Sequence, residues 1–397
     1  MTDLPELVAI VLLALTLPGT LYLALLTLAG SLPARRPAAG AFPGRFAILV
    51  PAHNEAAGIR RTLDNLLAIA HADGSTDVVV IADNCSDATA AIARAAGARV
   101  LERRDATRRG KGYALDHAFT MLAPDDYVAY VVIDADSIAA DNLLASLRRH
   151  FAGGASALQA RYTVLNGDAA PRTRLAEIAL AAFNVLRPRG RERLGLSVGI
   201  LGNGFALRRD VLELIPYTAT SVVEDLEYHL RLVATGIRVG FADDTEIRGE
   251  MPTGEQGSRA QRARWEGGRL RILAEHGPAL AAAILRRKWH FLDPLADLLL
   301  LPLAYHVLLL LAALALLTPR MAPPADFAGV ARVALASLLM LALHILAAMR
   351  VAHLPWSRLW SLASVPYYLL WKLRMLATTL AGASRSSAWI RTDRSGS

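Results

Sequence analysis

Tyr127-Val-Ala-Tyr-Val-Val-Ile133, followed at once by Asp134-Ala135-Asp136, is the stretch on which the fold turns. An unbroken apolar run of this length, without polar alternation, reads as a strand buried on both faces. Such strands belong to a sheet covered by helices. Two carboxylates two residues apart at the strand's end suit a divalent cation that must also hold a substrate's phosphates. Asp-x-Asp is common in turns, so its surroundings have to decide its meaning.

Working outward, Phe46-Ala-Ile-Leu-Val50 and Val78-Val-Val-Ile-Ala82 are further continuous apolar runs, with Ala-, Leu- and Arg-rich helical patterns between them. Buried strands alternating with helices predict an α/β domain with a mostly parallel sheet over residues 45–275. Each run is followed by polar residues: His53-Asn54-Glu55, Asp83-Asn84 and Asp134-Ala135-Asp136. Open α/β sheets bind ligands at the carboxyl ends of their strands, so these clusters are expected to share one crevice.

The composition asks for membrane segments. Of 397 residues, 54% are hydrophobic but only 6% aromatic, so the excess is Leu, Ala and Val. The net charge of +8 comes from Arg and Lys beside apolar spans, which fits a membrane surface better than nucleic acid. Basic patches interleaved with aromatics, the mark of a nucleic-acid protein, are not seen. The single cysteine, Cys85, excludes an intramolecular disulfide framework and a cysteine metal cluster, and reads as a small buried residue. Leu7 to Ala29 is long enough for a hydrocarbon core of roughly 30 Å, and reads as an anchor, kinked at Pro18, rather than a cleaved signal.

The expected order is an anchor over 1–30, a linker over 31–44, a cytoplasmic domain over 45–275 and an interfacial helix over 276–292. Two spans follow within 293–350, Ala296 to Leu317 and Phe327 to Met349, and then an interfacial or re-entrant segment with the tail over 351–397. Arg35 and Arg36 after the first span place that domain inside, and Arg320 is the single base of the loop placed outside. Leu354 to Ala381 contains Pro355, Pro366, Lys372 and Arg374. Were it to span, Arg385, Arg391 and Arg394 would lie on the wrong side, so an interfacial position is preferred. The expected location is a bacterial-type inner membrane, multi-pass. Ionisable residues are nearly absent from the spans, and His306 and His344 read as packing residues.

Several pieces carry two readings each. Pro51 cannot continue a central ladder, and Asn54 or Glu55 could meet a nucleobase or cap the helix beginning near Gly58. Asp83 could hold a nucleobase edge or ribose hydroxyl, while Asp87 reads as a helix N-cap. Arg109-Gly110-Lys111-Gly112 suits a diphosphate, though a solvated basic turn would look the same, and it lacks P-loop spacing. Leu201-Gly202-Asn203-Gly204 lets backbone approach a ligand or makes a tight turn. Glu224-Asp225 opens a helix, where acids are favoured by the dipole, yet two partly buried carboxylates there could also supply a base. In Gln261-Arg262-Ala263-Arg264-Trp265, Gln261, Arg264 and Trp265 share one helix face, bringing amide, guanidinium and indole together.

Together these motifs resemble the membrane-integrated inverting glycosyltransferases of family 2, which include cellulose, hyaluronan and poly-N-acetylglucosamine synthases and ceramide glucosyltransferases. The resemblance runs from residue 46 to about 275 and implies a GT-A-type nucleotide-sugar-binding domain. It assigns Pro51, His53, Asn54 and Glu55 to the first strand motif and Asp83 to the nucleobase. Asp134 and Asp136 become the site of Mg2+ or Mn2+ on the diphosphate, with Lys111 and Arg262 or Arg264 stabilising the leaving group. Gly202 and Asn203 line the substrate site. Asp225 would be the catalytic base beside Glu224, Trp265 would stack on the acceptor, and Gln261 is a substrate-binding residue of the same motif. The tail Trp389-Ile-Arg-Thr-Asp-Arg394 is similar to a gating segment of some relatives. Few spans are present for a processive synthase. What the resemblance implies is transfer of a hexosyl or N-acetylhexosaminyl unit from a UDP-sugar to a lipid, lipid-linked or glycan acceptor, with inversion. A metal-dependent sugar nucleotidyltransferase is the nearest alternative, but it would start with a Gly-rich loop where His53-Asn54-Glu55 stands. A glycoside hydrolase needs no diphosphate cradle. A non-enzymatic scaffold or transport subunit is the remaining class.

Overall fold

The computed structural model describes residues 4–34, 37, 40–218, 221, 223–317 and 325–384, with 325–328 and 377–384 as backbone only. Arg35, Arg36, Arg320, Arg385 and the Trp389–Arg394 motif lie outside the described residues. The chain opens on α1 (Leu4–Ser31) and enters the sheet at β1 (Arg45–Ala52). Next come α2 (Ile59–Asp73), β2 (Thr76–Asp83), α3 (Thr89–Ala96), β3 (Arg99–Arg103), α4 (Lys111–Leu122) and β4 (Tyr127–Val132). Then follow β5 (Ser137–Ala139), α5 (Leu143–Ala152), β6 (Ala157–Val164), α6 (Pro171–Leu180) and α7 (Arg187–Arg193). The domain closes with β7 (Phe205–Arg208), α8 (Arg209–Leu214), α9 (Glu224–Ala234) and β8 (Val239–Gly249).

The sheet has eight strands in the order β3-β2-β1-β4-β7-β6-β8-β5. Four pairings are parallel and three antiparallel, so the sheet is mixed, its parallel part lying mainly in the first half. Alternation along β1 explains the two cores. Phe46, Ile48 and Val50 face α2 and α5, while Ala47 and Leu49 face α4 and the Tyr217–Tyr228 aromatic layer. The antiparallel β7 matters for function, because it brings the segment before Phe205 to the carboxyl end of β4. Pro51 corrects an expectation: β1 runs through it, paired with Ile81 of β2. Leu49 accepts from Ile133 at 3.0 Å on the β4 side, and two residues on, where Pro51 lacks its N–H, β4 has already ended.

The predicted interfacial helix is not separate. Residues 255–285 form one helix, α10 (Glu255–Leu285), which passes through the expected domain boundary at 275 and ends at Arg286-Arg287-Lys288. The span expected from Ala296 to Leu317 is also broken. It divides into α11 (Leu292–Leu299) and α12 (Leu303–Leu317), and the stretches Trp289–Leu299 and Leu303–Leu317 meet at 71°. Pro302 sits at the break, where it removes a backbone donor and restricts Leu301. Asp297, inside that stretch, is a partly buried charge that the reading of the spans overlooked. It gathers Arg187 and Arg191 of α7, the latter at 2.5 Å, and Arg269 of α10 at 3.6 Å.

α13 (Ala325–Val351) and α14 (Val365–Ser384) complete the described chain. Among the described residues two helices, Leu4–Ser31 and Gly329–Val351, are long and apolar enough to cross a membrane, or up to three if the bent pair is one span. Polar contacts join them: Thr20 Oγ1 to His306 Nε2 at 2.9 Å, and Thr27 Oγ1 to His344 Nδ1 at 2.7 Å. α1 also crosses α7 at Gly190, where a Cβ would lie 2.5 Å from the Leu26 carbonyl oxygen.

Candidate active site

The floor of the crevice is built where β4 ends and β7 begins. Gly204 N–H donates to the Val132 carbonyl at 2.9 Å, and Asp134 N–H donates to Asn203 Oδ1 at 3.1 Å. Asn203 is itself buried and donates to Ser137 Oγ at 2.9 Å, so it holds the Asp134–Asp136 turn. That is a different position from the ligand-lining one expected of it. Gln159, which sequence reading missed, is fully buried in β6. Its amide donates to the carbonyls of Asn203 (2.7 Å) and Ala160 (2.9 Å) and accepts from Leu201 N–H at 2.9 Å. A lone Gln in a strand has no signature, because its partners other than the adjacent Ala160 come from a loop over forty residues away. Gln159→Leu is expected to cost roughly 2–3 kcal/mol of stability by orphaning these groups, a loss read by chemical denaturation; a change below about 0.5 kcal/mol would remove the role.

Gly202 is where the pieces meet. Its φ is +78°, in the left-handed region open to glycine. A Cβ on it would lie 3.0 Å from Asp225 Oδ2, so a larger residue would push into that carboxylate. Lys111, at the first turn of α4, donates to both the Gly202 carbonyl and Asp134 Oδ1. One loop thus joins the Asp134 turn, the basic turn and the Glu224-Asp225 helix start.

Glu224 is buried, and burial followed by the neighbouring Asp225 charge pushes its carboxyl from 4.5 up to about 8; Lys111 and Arg264 oppose the shift. Asp225 keeps part of its surface open to the crevice. Desolvation by the surrounding protein raises its pKa, against the backbone N–H of Leu226, which donates to Oδ1 at 2.8 Å, and against Lys111. A carboxyl whose pKa rises on folding holds a proton that the unfolded chain releases. The stability from Glu224 is therefore full below about pH 4.5 and is lost as pH rises toward about 8. Glu224→Gln should raise stability at the upper end of that window by upwards of about 1 kcal/mol. Thermal unfolding of both proteins across the window measures this, and parallel pH profiles would rule it out.

On the β1–β2 side the loops brace one another. His53 Nδ1 lies 2.7 Å from the Asp83 carbonyl, and Asn54, at φ +55°, accepts from Ser86 N–H at 2.8 Å. Glu55 N–H donates to Thr89 Oγ1 at 2.8 Å. No side chain caps α2; the Glu55 carbonyl accepts from Ile59 N–H at 2.9 Å instead. Asp87 Oδ1 accepts from Thr89 N–H at 3.0 Å and Oδ2 from Ala56 N–H at 3.0 Å, so it links two loops, while the N-cap position of α3 falls on Ala88 and not on Asp87 as expected. Asp83 is buried, and one oxygen is engaged by Arg103 at 2.7 Å, a partner not foreseen. Cys85 is half-buried, contrary to expectation, because its Sγ sits between these loops at 3.4 Å from the Ala52 carbonyl.

On α10, Gln261 is buried and Arg264 acts electrostatically on Glu224, Asp225 and the half-buried Tyr162. Tyr162 also bonds to Asn203 and was not singled out from sequence. Trp265 packs on the apolar group of Val164, Ala176 and Met251, so part of its ring is covered. Arg262 points elsewhere: it donates to Tyr368 Oη of α14 at 2.6 Å. Successive helical residues differ by about 100°, and Arg262 falls off the face shared by Gln261, Arg264 and Trp265.

Among the described residues no group of three or more His, Cys, Asp or Glu could hold a metal alone. Asp134 and Asp136 offer hard oxygen donors from one turn, and Asp136 is braced by Ser137 Oγ at 3.2 Å. That set fits Mg2+ or Mn2+ only if substrate oxygens complete the shell.

The chain is similar to a probable glycosyltransferase, YdaM, of Bacillus subtilis (strain 168), at 26% identity over 246 residues. The match covers 58% of this chain and 57% of the relative, so the chain spans little more than half the length of the curated relative it matches. Among solved structures, it is similar to the mannosyltransferase PcManGT from Pyrobaculum calidifontis in complex with GDP-Man and Mn2+. That likeness has a TM-score of 0.58 and 20% identity, covering 87% of this chain and 97% of that one. A weaker likeness, TM-score 0.39 with 21% identity, covers 60% of this chain and 86% of glucosyl-3-phosphoglycerate synthase from Mycobacterium tuberculosis, solved with Mn2+ and UDP. The model of the family described as Glycosyltransferase like family 2 matches residues 43–268, and the chain belongs to that family.

Proposed function

We propose that this glycosyltransferase moves a sugar from a UDP-sugar to a hydroxyl of a lipid, lipid-linked or polysaccharide acceptor at a membrane surface, with inversion to a β-glycoside. The observation that carries the reading is the Gly202 loop, where Lys111, Asp134 and Asp225 converge. Asp225 accepts the proton of the acceptor hydroxyl as its oxygen attacks the anomeric carbon. The bond from that carbon to the diphosphate breaks on the opposite face, so an α-linked donor gives a β product in one displacement. Lys111 and Arg264 stabilise the charge that develops on the departing diphosphate. Mg2+ or Mn2+ held by Asp136 and Asp134 would supply Lewis-acid neutralisation of that diphosphate. Asp83, His53, Asn54 and Glu55 border the nucleoside end, and Gln261 and Trp265 the acceptor end.

The membrane part of the reading rests on α1 and Gly329–Val351, with the catalytic domain on the cytoplasmic side of a bacterial-type inner membrane. The Pyrobaculum calidifontis neighbour was solved with GDP-Man, so that donor belongs beside UDP-sugars in a test. Membranes carrying the full chain are incubated with labelled UDP-glucose, UDP-N-acetylglucosamine, UDP-galactose or GDP-mannose, with extracted lipid as acceptor. Labelled β-linked glycolipid or polymer supports the proposal. An α-linked product overturns inversion, and an exclusively water-soluble product overturns the lipid and polymer acceptors.

A further inference from the structure

α14 and the 3-10 turn before it, Trp356–Ser364, form a strap with two unlike faces. The inner face grips α10. Besides the Arg262–Tyr368 bond, Trp371 Nε1 donates to Glu255 Oε1 at 2.9 Å, and Lys372, only 1% exposed, pairs with Glu266. These contacts bracket Gln261, Arg264 and Trp265 along the same helix. The far end is pinned where Arg358 donates to Glu177 at 2.6 Å and pairs with Asp168.

The outer face is apolar and open. Trp360 is 84% exposed, Tyr367 63%, Leu370 60% and Leu373 49%. A helix facing water would carry charges there, whereas Arg374 is the single exposed charge on the described side chains of α14. Position selects the occupant. Four residues separate Val351, the end of the apolar helix Gly329–Val351, from Trp356. That tether reaches at most about 17 Å, so the strap stays near the end of the span. Exposed Trp356 and Trp360 suit the headgroup layer, and Arg350 and Arg374 complement anionic lipid.

We propose that the outer face of this strap seats in the headgroup layer of the bilayer, and that its inner contacts hold α10 in register with the crevice. The proposal rests on reading Gly329–Val351 as a span. It deepens the proposed function by making the acceptor helix answer to the membrane.

The test uses full-length protein in phosphatidylethanolamine–phosphatidylglycerol vesicles. In a Cys85→Ser background, Leu370→Cys, Leu373→Cys, Leu339→Cys on α13 and Leu214→Cys on α8 each carry an environment-sensitive fluorophore. Lipids bearing a nitroxide at headgroup or mid-chain depth act as quenchers. Labels at 370 and 373 should be quenched chiefly by the headgroup nitroxide, that at 339 by the mid-chain one and that at 214 by neither. Unquenched 370 and 373 with a quenched 339 overturns the strap alone, whereas an unquenched 339 overturns the span. Mid-chain quenching at 370 and 373 makes the segment a span and overturns the seating. Self-quenching between copies, without lipid quenching, assigns the face to a second copy and also overturns it. In the natural-cysteine chain, Tyr368→Phe should lower transfer in vesicles about tenfold by leaving the Arg262 guanidinium without its acceptor. It should also erase the difference between vesicles and detergent. Unchanged transfer, or a vesicle–detergent difference that persists, overturns the coupling.

Discussion

Asp225→Asn is expected to lower transfer by about 10³-fold or more while leaving nucleotide binding intact. Asparagine keeps the shape of the side chain and can still accept from Leu226 N–H, a bond of 2.8 Å that ties the residue to the first turn of α9. What it loses is the ability to take a proton. The partly open position against Gly202 and the raised pKa both suit a group that must pick up a proton near neutrality. The measurement is single-turnover transfer beside calorimetric titration with UDP. Turnover near wild type would move the base elsewhere, with Glu224 the first candidate. Loss of UDP binding with turnover would show that the substitution had disturbed the crevice itself.

Asp136→Ala should weaken Mn2+ binding in the presence of UDP by at least about 100-fold, since even partners of metal ligands cost 10–100-fold. Asp134 shares its charge with Lys111, so much of the cation's charge balance falls on Asp136. Electron paramagnetic resonance of Mn2+ titrated into protein with UDP measures this directly. A chelator should silence the wild-type enzyme, and Mg2+ or Mn2+ should restore it. Activity that survives chelation, or a variant that binds Mn2+ normally, would remove Asp136 from the metal.

Much of this was legible in the chain. The runs at Phe46, Val78 and Tyr127 became β1, β2 and β4 because strands buried on both faces leave continuous apolar stretches. Glu224-Asp225 opens α9 as the sequence suggests, because acids at a helix start are favoured locally. The groups that brace the site were not legible. Gln159 and Tyr162 lie on β6, Arg103 on β3, and each meets its partner only after the sheet assembles. Asp297 went unnoticed inside an apolar run, because only the approach of α7 and α10 supplies its three guanidinium partners.

The sequence alone determined the α/β class, the carboxyl-end crevice and the identity of the acids in it, because strand period, turn residues and helix dipoles act within a few residues. Tertiary structure decided which acids meet. Reversal of β7 beside β4 carries Gly202 to Lys111 and Asp225, and the bend at Pro302 turns an apparent span into a broken one. Those outcomes depend on contacts between segments tens to hundreds of residues apart, whose energies no local pattern records.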